Sequence, residues 1–204
     1  VSTIHDVYDA ACRLADERGI RVTGSELVGL IPLEAMVMTG KHYLAKQNRS
    51  IGVPTADIVE CAVQSLGLND VTKFDPQEKI IDYAVTSENR PLMGLTGSGF
   101  VEELSTNSPA PGGGSVSALA GSLGSALSSM VAALTHEKKE MLDSKPEMDA
   151  IGVEAQALKG RLSFLVDEDT NAFNKIMNAY GLPKETEEDK IKRHAAIQEA
   201  TKYA

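Results

Sequence analysis

Apolar positions follow two different periods in the first third of the chain. Over 4–18, Ile4, Val7, Ala11, Leu14 and Ala15 recur at three- and four-residue spacing and Gly19 closes the pattern, which predicts an amphipathic helix. From Ile20 to Ile31 the residues partly alternate and include β-branched types, which predicts a strand broken at Gly24 and Gly29. Pro32 suits a first helical turn and opens a helix over 33–46. Pro54 and Thr55, with Thr55 as N-cap, introduce another from Ala56 to Leu66, ended by Gly67. Periodicity fades after Val85, and 86–97, with Pro91, Gly94 and Gly97, reads as a linker. Everything beyond is helical: a short segment over 100–104, a long one over 116–139, and another over 146–180. In that last helix Ile151, Ala155, Leu158, Leu162, Leu165 and Ala172 lie on one side. Gly181-Leu182-Pro183 breaks the pattern before a final helix. The expectation is an α+β chain: an α/β fragment over 1–85, a linker over 86–97 and an all-α domain over 98–204, with no internal repeat.

The helix over 116–139 is unusual in its side chains, which are small and almost uncharged. Leu119, Leu123, Leu127, Val131 and Leu134 form the predicted core face. A second line, Gly114, Ala118, Gly121, Ser125 and Ser128, would let a neighbouring backbone pack closely. The run is long enough to raise the question of a membrane span. Its serine and glycine content, modest leucine and lack of a basic flanking loop argue instead for the central helix of a soluble helical domain, so no membrane partner is expected.

A net charge of −9 without a basic stretch argues against nucleic acid as partner. Cys12 and Cys61 lack metal-ligand spacing and sit in amphipathic patterns, as reduced thiols of a cytoplasmic protein do; no metal is expected. Val1 is not an initiator methionine and the last helix has no stop signal, so the chain reads as a piece of something longer.

Two places carry candidate chemistry. Pro109-Ala110-Pro111-Gly112-Gly113-Gly114-Ser115-Val116 leads through three glycines into a helix start, where backbone N–H groups are free to meet a carbonyl or anion; a sharp turn between packed helices explains the same residues. Asp167-Glu168-Asp169 lies inside a mostly apolar helix. Asp169, four after Leu165 and four before Phe173, is placed toward the packed side, where a carboxylate acts as a general acid or base; the alternative is an Asp on a solvated face, paired with Lys175 or Arg161.

These strings, with Leu182-Pro183-Lys184 and Arg193-His194-Ala195-Ala196-Ile197-Gln198-Glu199-Ala200, resemble the cyclodeaminase domain of bifunctional formimidoyltransferase-cyclodeaminases. Val22 to Leu33, Gln47-Asn48-Arg49-Ser50 and Asp75 to Ile81 are similar to the C-terminal subdomain of the family's transferase half. The resemblance covers nearly the whole chain in the family's domain order. It implies two steps of histidine breakdown: formimidoyl transfer from N-formimidoyl-glutamate to tetrahydrofolate, then closure to 5,10-methenyltetrahydrofolate with loss of ammonia.

Several residue roles follow from the resemblance. An aspartate in this helix is the family's cyclodeaminase catalyst, here Asp169 with Asp167 second. Gly112, Gly113, Gly114 and Ser115 would approach the folate ring, and Lys184 and Arg193 its glutamate tail. Tetrahydrofolate enters as a polyglutamylated co-substrate, the assembly is a homo-oligomer, and His5, His42 and His136 have no catalytic part. This stretch by itself is expected to turn over neither substrate. The competing readings are a helical self-association module and a methenyltetrahydrofolate cyclohydrolase.

Overall fold

The computed structural model describes residues 2–85 and 90–203. In chain order the helices are α1 (Ile4–Asp16), α2 (Leu33–Lys46), α3 (Thr55–Ser65), α4 (Pro76–Lys79), α5 (Ile81–Val85), α6 (Gly97–Leu104), α7 (Gly113–His136), α8 (Lys145–Tyr180) and α9 (Glu187–Tyr203), with a 3-10 turn at Lys139–Ser144. Of the predicted linker, 86–89 lie outside the described residues, while 91–94 form a turn. The chain divides into two compact units, Val1–Glu88 with Ser128–Gln156, and Asn89–Leu127 with Ala157–Ala204.

In the first unit the predicted helices form, and Thr55 is the first helical residue rather than the cap, a place taken by Pro54. The α/β expectation is corrected: among the described residues no strand forms. Residues 20–30 carry no regular secondary structure, with a bend at Gly29, and their backbone meets the end of a helix instead of a second strand. Gly24 abuts Gly67 at the end of α3, where a Cβ on Gly24 would lie 2.7 Å from the Gly67 carbonyl oxygen, and Ser25 Oγ donates to the Leu66 carbonyl at 2.8 Å. Strand pairing shrinks to one parallel bridge between Ile31 and Ile80. Alternation marks an extended conformation, whereas a sheet also needs a partner, which local pattern does not specify.

The core of this unit is aliphatic, built on Met36, Leu44, Ile58, Val63, Leu66 and Ile80. Gly40 lets α2 meet α3, since a Cβ there would run into the Ile58 backbone carbonyl. On the outer side of α2, Asp9 of α1 accepts from His42 Nε2 at 3.1 Å, Tyr43 Oη at 3.0 Å and Lys46 Nζ at 2.9 Å. Burial alone would raise the Asp9 carboxyl, but these donors outweigh it and hold it below the usual range. His5 stacks on His42 with ring centroids 4.2 Å apart.

The end of α7 and the start of α8 complete the unit. Gly52 and Gly152 meet backbone to backbone, Ser129 Oγ donates to the Gly52 carbonyl at 2.9 Å, and Asp149 Oδ1 accepts from Ser50 Oγ at 2.9 Å and the Ile51 N–H at 3.1 Å. His136, which a terminal helix position would place at the surface, is buried here with Nε2 3.4 Å from Asp149 Oδ2.

In the second unit, α7 up to Leu127 lies antiparallel to α8 from Ala157. Ser115 meets Val166 and Asp169, and Ser122 meets Lys159 and Ser163. Of the predicted core face of α7, Leu119 packs on the small core of Leu92, Phe100 and Val166, and the rest is overturned. Leu123, Leu127, Val131 and Leu134 are each more than half exposed, whereas Ser115, Ser122 and Ser129, seven apart, are buried. Small residues win that face because the Ser115 and Ser122 hydroxyls reach α8 carbonyls and hydroxyls, and Ser129 reaches the Gly52 carbonyl, only when the backbones are close, and leucine side chains would hold them apart. By length and composition α7 meets the requirement for a membrane span. The buried, hydrogen-bonded hydroxyls of Ser115, Ser122 and Ser129 argue against one.

Candidate active site

Helix α7 starts at Gly113, and the N–H groups of its first turn have no helical partner. One of them is claimed at once: Ser115 N donates to Asp169 Oδ2 at 2.8 Å, and Ser115 Oγ lies 3.1 Å from the same oxygen. The Ser115 hydroxyl also reaches the Val166 carbonyl at 2.8 Å and Thr170 Oγ1 at 3.2 Å. Ser115 is fully buried, so it is placed to hold Asp169 in position and does not face a ligand.

Gly114 explains why a glycine precedes this serine. An added Cβ would coincide with the Asp169 carboxyl group, which occupies the space of the missing side chain. Gly113 has nothing within 4 Å of such an atom, and Gly112 has only the Pro109 carbonyl oxygen at 3.8 Å. Of the three glycines, Gly114 alone is required by the contact across to α8.

The packed-side placement expected of Asp169 is corrected: Asp169 is exposed, and its neighbour Asp167 takes the buried position. Asp167 is the buried one, 5% exposed, and its carboxylate accepts from the N–H groups of Leu92 at 2.8 Å and Met93 at 3.3 Å. It thereby pins the 91–94 turn beside the small core of Leu92, Phe100 and Val166. Asp169 is exposed on its free side. The reason is helical angle: two residues turn the side chain by about 200°, so both cannot face the same way. Asp167→Asn should destabilise the protein by about 1–3 kcal/mol, because one acceptor for a buried N–H becomes a donor. Urea unfolding followed by circular dichroism measures it.

Asp169 opens on a pocket of about 670 Å³. Ala118, Leu162, Leu165, Phe173 and Ile176 supply an apolar wall, and Gly114, Ser117, Glu168 and Asp169 a polar side. A carboxylate held by a fixed donor pair at the edge of an apolar pocket is suited to take and return a proton on a ligand seated there. Glu168 and Phe173 escaped the sequence reading as site residues, although Leu165, Asp169, Ala172, Phe173 and Ile176 follow the 3–4 spacing of a single helix face.

Lys184 and Arg193 are not brought to this pocket's lining. Lys184 is exposed, and Arg193 closes the end of α8, with Nε donating to the Tyr180 carbonyl at 3.3 Å and the guanidinium 5.4 Å from the Tyr180 ring centre. Among the described residues no group of three or more His, Cys, Asp or Glu is placed to hold a metal ion.

Comparison with known families assigns residues 96–204 to the formiminotransferase-cyclodeaminase model, a match over more than half of the chain. The chain belongs to the formiminotransferase-cyclodeaminase family. Residues 1–86 match the formiminotransferase domain in addition. Formimidoyltransferase-cyclodeaminase of Sus scrofa is 35% identical over the whole chain, which spans 38% of that relative. The protein of the same name from Dictyostelium discoideum is 39% identical over 98% of the chain and 37% of its own length. A methenyltetrahydrofolate cyclohydrolase of Methylorubrum extorquens is 40% identical over 52% of the chain and 50% of its own length. Segments matching both family models thus follow one another in this chain, which spans less than two fifths of the length of these formimidoyltransferase-cyclodeaminases.

Proposed function

We propose that this member of the family takes part in both reactions named in its relatives: formimidoyl transfer from N-formimidoyl-glutamate to N5 of tetrahydrofolate, then cyclodeamination of 5-formimidoyl-tetrahydrofolate to 5,10-methenyltetrahydrofolate and ammonia. Asp169, fastened by Ser115 over Gly114 at the rim of the apolar pocket, carries the second reaction. N10 attacks the formimidoyl carbon and a C–N10 bond forms. The N10 proton passes to Asp169, which returns it to the formimidoyl nitrogen, and the C–N bond to that nitrogen breaks as ammonia leaves. One carboxyl group serves as base and then as acid, and the net proton count on the enzyme is zero.

The apolar wall and exposed Gly114 suit the folate ring, and in the cell the enzyme would work as a cytoplasmic homo-oligomer on polyglutamylated folate. The more than half-exposed Leu123 and Leu127 of α7 support self-association. Lys184 and Arg193 would meet the glutamate tail only outside the pocket.

The cyclohydrolase relative supports a second reading, hydrolysis of the methenyl group, while the formiminotransferase match over 1–86 favours the first. Turnover of 5-formimidoyl-tetrahydrofolate by the full-length protein separates them. Cyclodeamination releases one ammonia per methenyl product, measured enzymatically against absorbance. A protein that hydrolyses methenyltetrahydrofolate and releases no ammonia from the formimidoyl compound is a cyclohydrolase.

A further inference from the structure

Three groups surround one hydroxyl beside Asp169. The Ser115 oxygen carries a single proton and lies 2.8 Å from the Val166 carbonyl, 3.1 Å from Asp169 Oδ2 and 3.2 Å from Thr170 Oγ1. Ser115 is fully buried, so water does not settle the competition. Thr170 Oγ1 has Ser115 as its side-chain partner among the described residues, and its O–H is turned to the Ser115 oxygen. The Ser115 proton is left with two acceptors, the Asp169 carboxyl group and the Val166 carbonyl.

Which of the two it takes depends on the charge of Asp169. A carboxylate is a stronger acceptor than a helix carbonyl, so the O–H points to Oδ2 while Asp169 is ionised, alongside the Ser115 N–H at 2.8 Å. Once Asp169 holds the N10 proton that advantage is gone, and the O–H turns to the nearer Val166 carbonyl. The N–H bond to Oδ2 persists in both states. Asp169 Oδ1, by contrast, has no hydrogen-bond partner among the described residues, and it is the carboxyl atom nearest to the missing Cβ of Gly114, a residue of the pocket lining.

We infer, on the reading of Asp169 as proton shuttle, that Ser115 and Thr170 form a two-position hydroxyl switch that follows the shuttle, with Thr170 a positioning residue for ring closure that acts through Ser115. Oδ1 is then the oxygen that works: the proton passes from N10 to Oδ1 and from Oδ1 to the departing formimidoyl nitrogen. Neither hydroxyl gives up its proton, and no O–H bond of Ser115 or Thr170 breaks. The change of partner is a rotation about the Ser115 Cβ–Oγ bond, so no heavy atom has to move as Asp169 gains and loses charge. Catalysis gains because the carboxyl group keeps its place over Gly114 through the whole cycle, and little reorganisation is needed at the moment of transfer.

The test compares variants of the full-length protein in kcat and KM for 5-formimidoyl-tetrahydrofolate. Thr170→Val keeps the shape and loses the hydroxyl; it should lower kcat about five-fold and leave KM within about two-fold, and Thr170→Ser should return most of the loss. Ser115→Ala should cost about 10–100-fold in kcat, the range of a hydrogen bond to a charged group. Thr170→Val added to Ser115→Ala should then change nothing further, since Thr170 acts only through that oxygen. Wild-type kcat in Thr170→Val overturns the inference. So does a loss that Thr170→Ser does not restore, a change confined to KM, or a fresh five-fold loss, about as large as in the single variant, on going to the double variant. If Thr170→Val does not fold by circular dichroism, Thr170→Ala set against Thr170→Ser isolates the same hydroxyl and is read in the same way. Asp169→Asn is assayed alongside. Cyclisation that survives it defeats the underlying proton-shuttle reading, whereas its loss together with wild-type kcat in Thr170→Val defeats the hydroxyl switch alone.

Discussion

Asp169→Asn in the full-length protein should lower the rate of ring closure by about 10²–10⁴-fold, the contribution typical of a positioned proton-transfer group, and leave formimidoyl transfer at its normal rate. Asparagine has the same shape and still offers an oxygen to the Ser115 N–H, so the helix pairing that rests on that bond survives. What it lacks is a carboxylate oxygen that can take up the N10 proton and hand it on. The two steps are measured separately, methenyl formation by absorbance and formimidoyl consumption by chromatography. Equal loss in both steps would mean that the substitution acts through folding or assembly, and the role assigned to Asp169 would fall.

Gly114→Ala should cut ring closure by about 10²-fold through position alone, the scale on which a misplacement near 1 Å is felt. The methyl group enters the volume filled by the Asp169 carboxyl and forces it off the Ser115 donors. Helix propensity runs the other way: alanine favours the helical state over glycine by about 1 kcal/mol in a helix interior and less near an end. Thermal stability should therefore change little while the rate collapses, a separation that simple unfolding does not produce. Gly124→Ala is the control, since nothing lies within 4 Å of a Cβ at that position of the same helix. An unaltered rate in Gly114→Ala would show that the carboxyl group has room to work elsewhere.

How far the chain could be read before its structure depended on the range of the forces involved. Helices with a wide apolar stripe and a glycine or proline at their ends, such as 33–46 and the break at Gly181-Leu182-Pro183, follow from local propensity and agree with the structure to within a residue or two. The stretch 20–31 alternates as a strand does and yet makes a single bridge at Ile31, because pairing belongs to a partner segment and not to the stretch itself. Hydrophobicity also misled in α7. Leu123 and Leu127 carry the larger transfer energy, yet the buried side is drawn by Ser115, Ser122 and Ser129, whose advantage exists only once a second backbone is within hydrogen-bond reach.

The candidate site divides along the same line. Residue types and order were enough to single out the Gly112–Ser115 bend and the Asp167–Asp169 pair as candidates, because permissive glycines and acids within an apolar helix are chemically conspicuous in any context. Tertiary structure assigned the parts: Asp167 to the 92–93 backbone, Asp169 to the pocket, Ser115 to holding the carboxylate, Glu168 to the pocket wall. A sequence reports which groups a helix carries and on which bearing. Only the packing of α7 on α8 fixes which bearing meets a neighbour and which meets a cavity, since a rotation of some 100° per residue turns adjacent acids toward different surroundings.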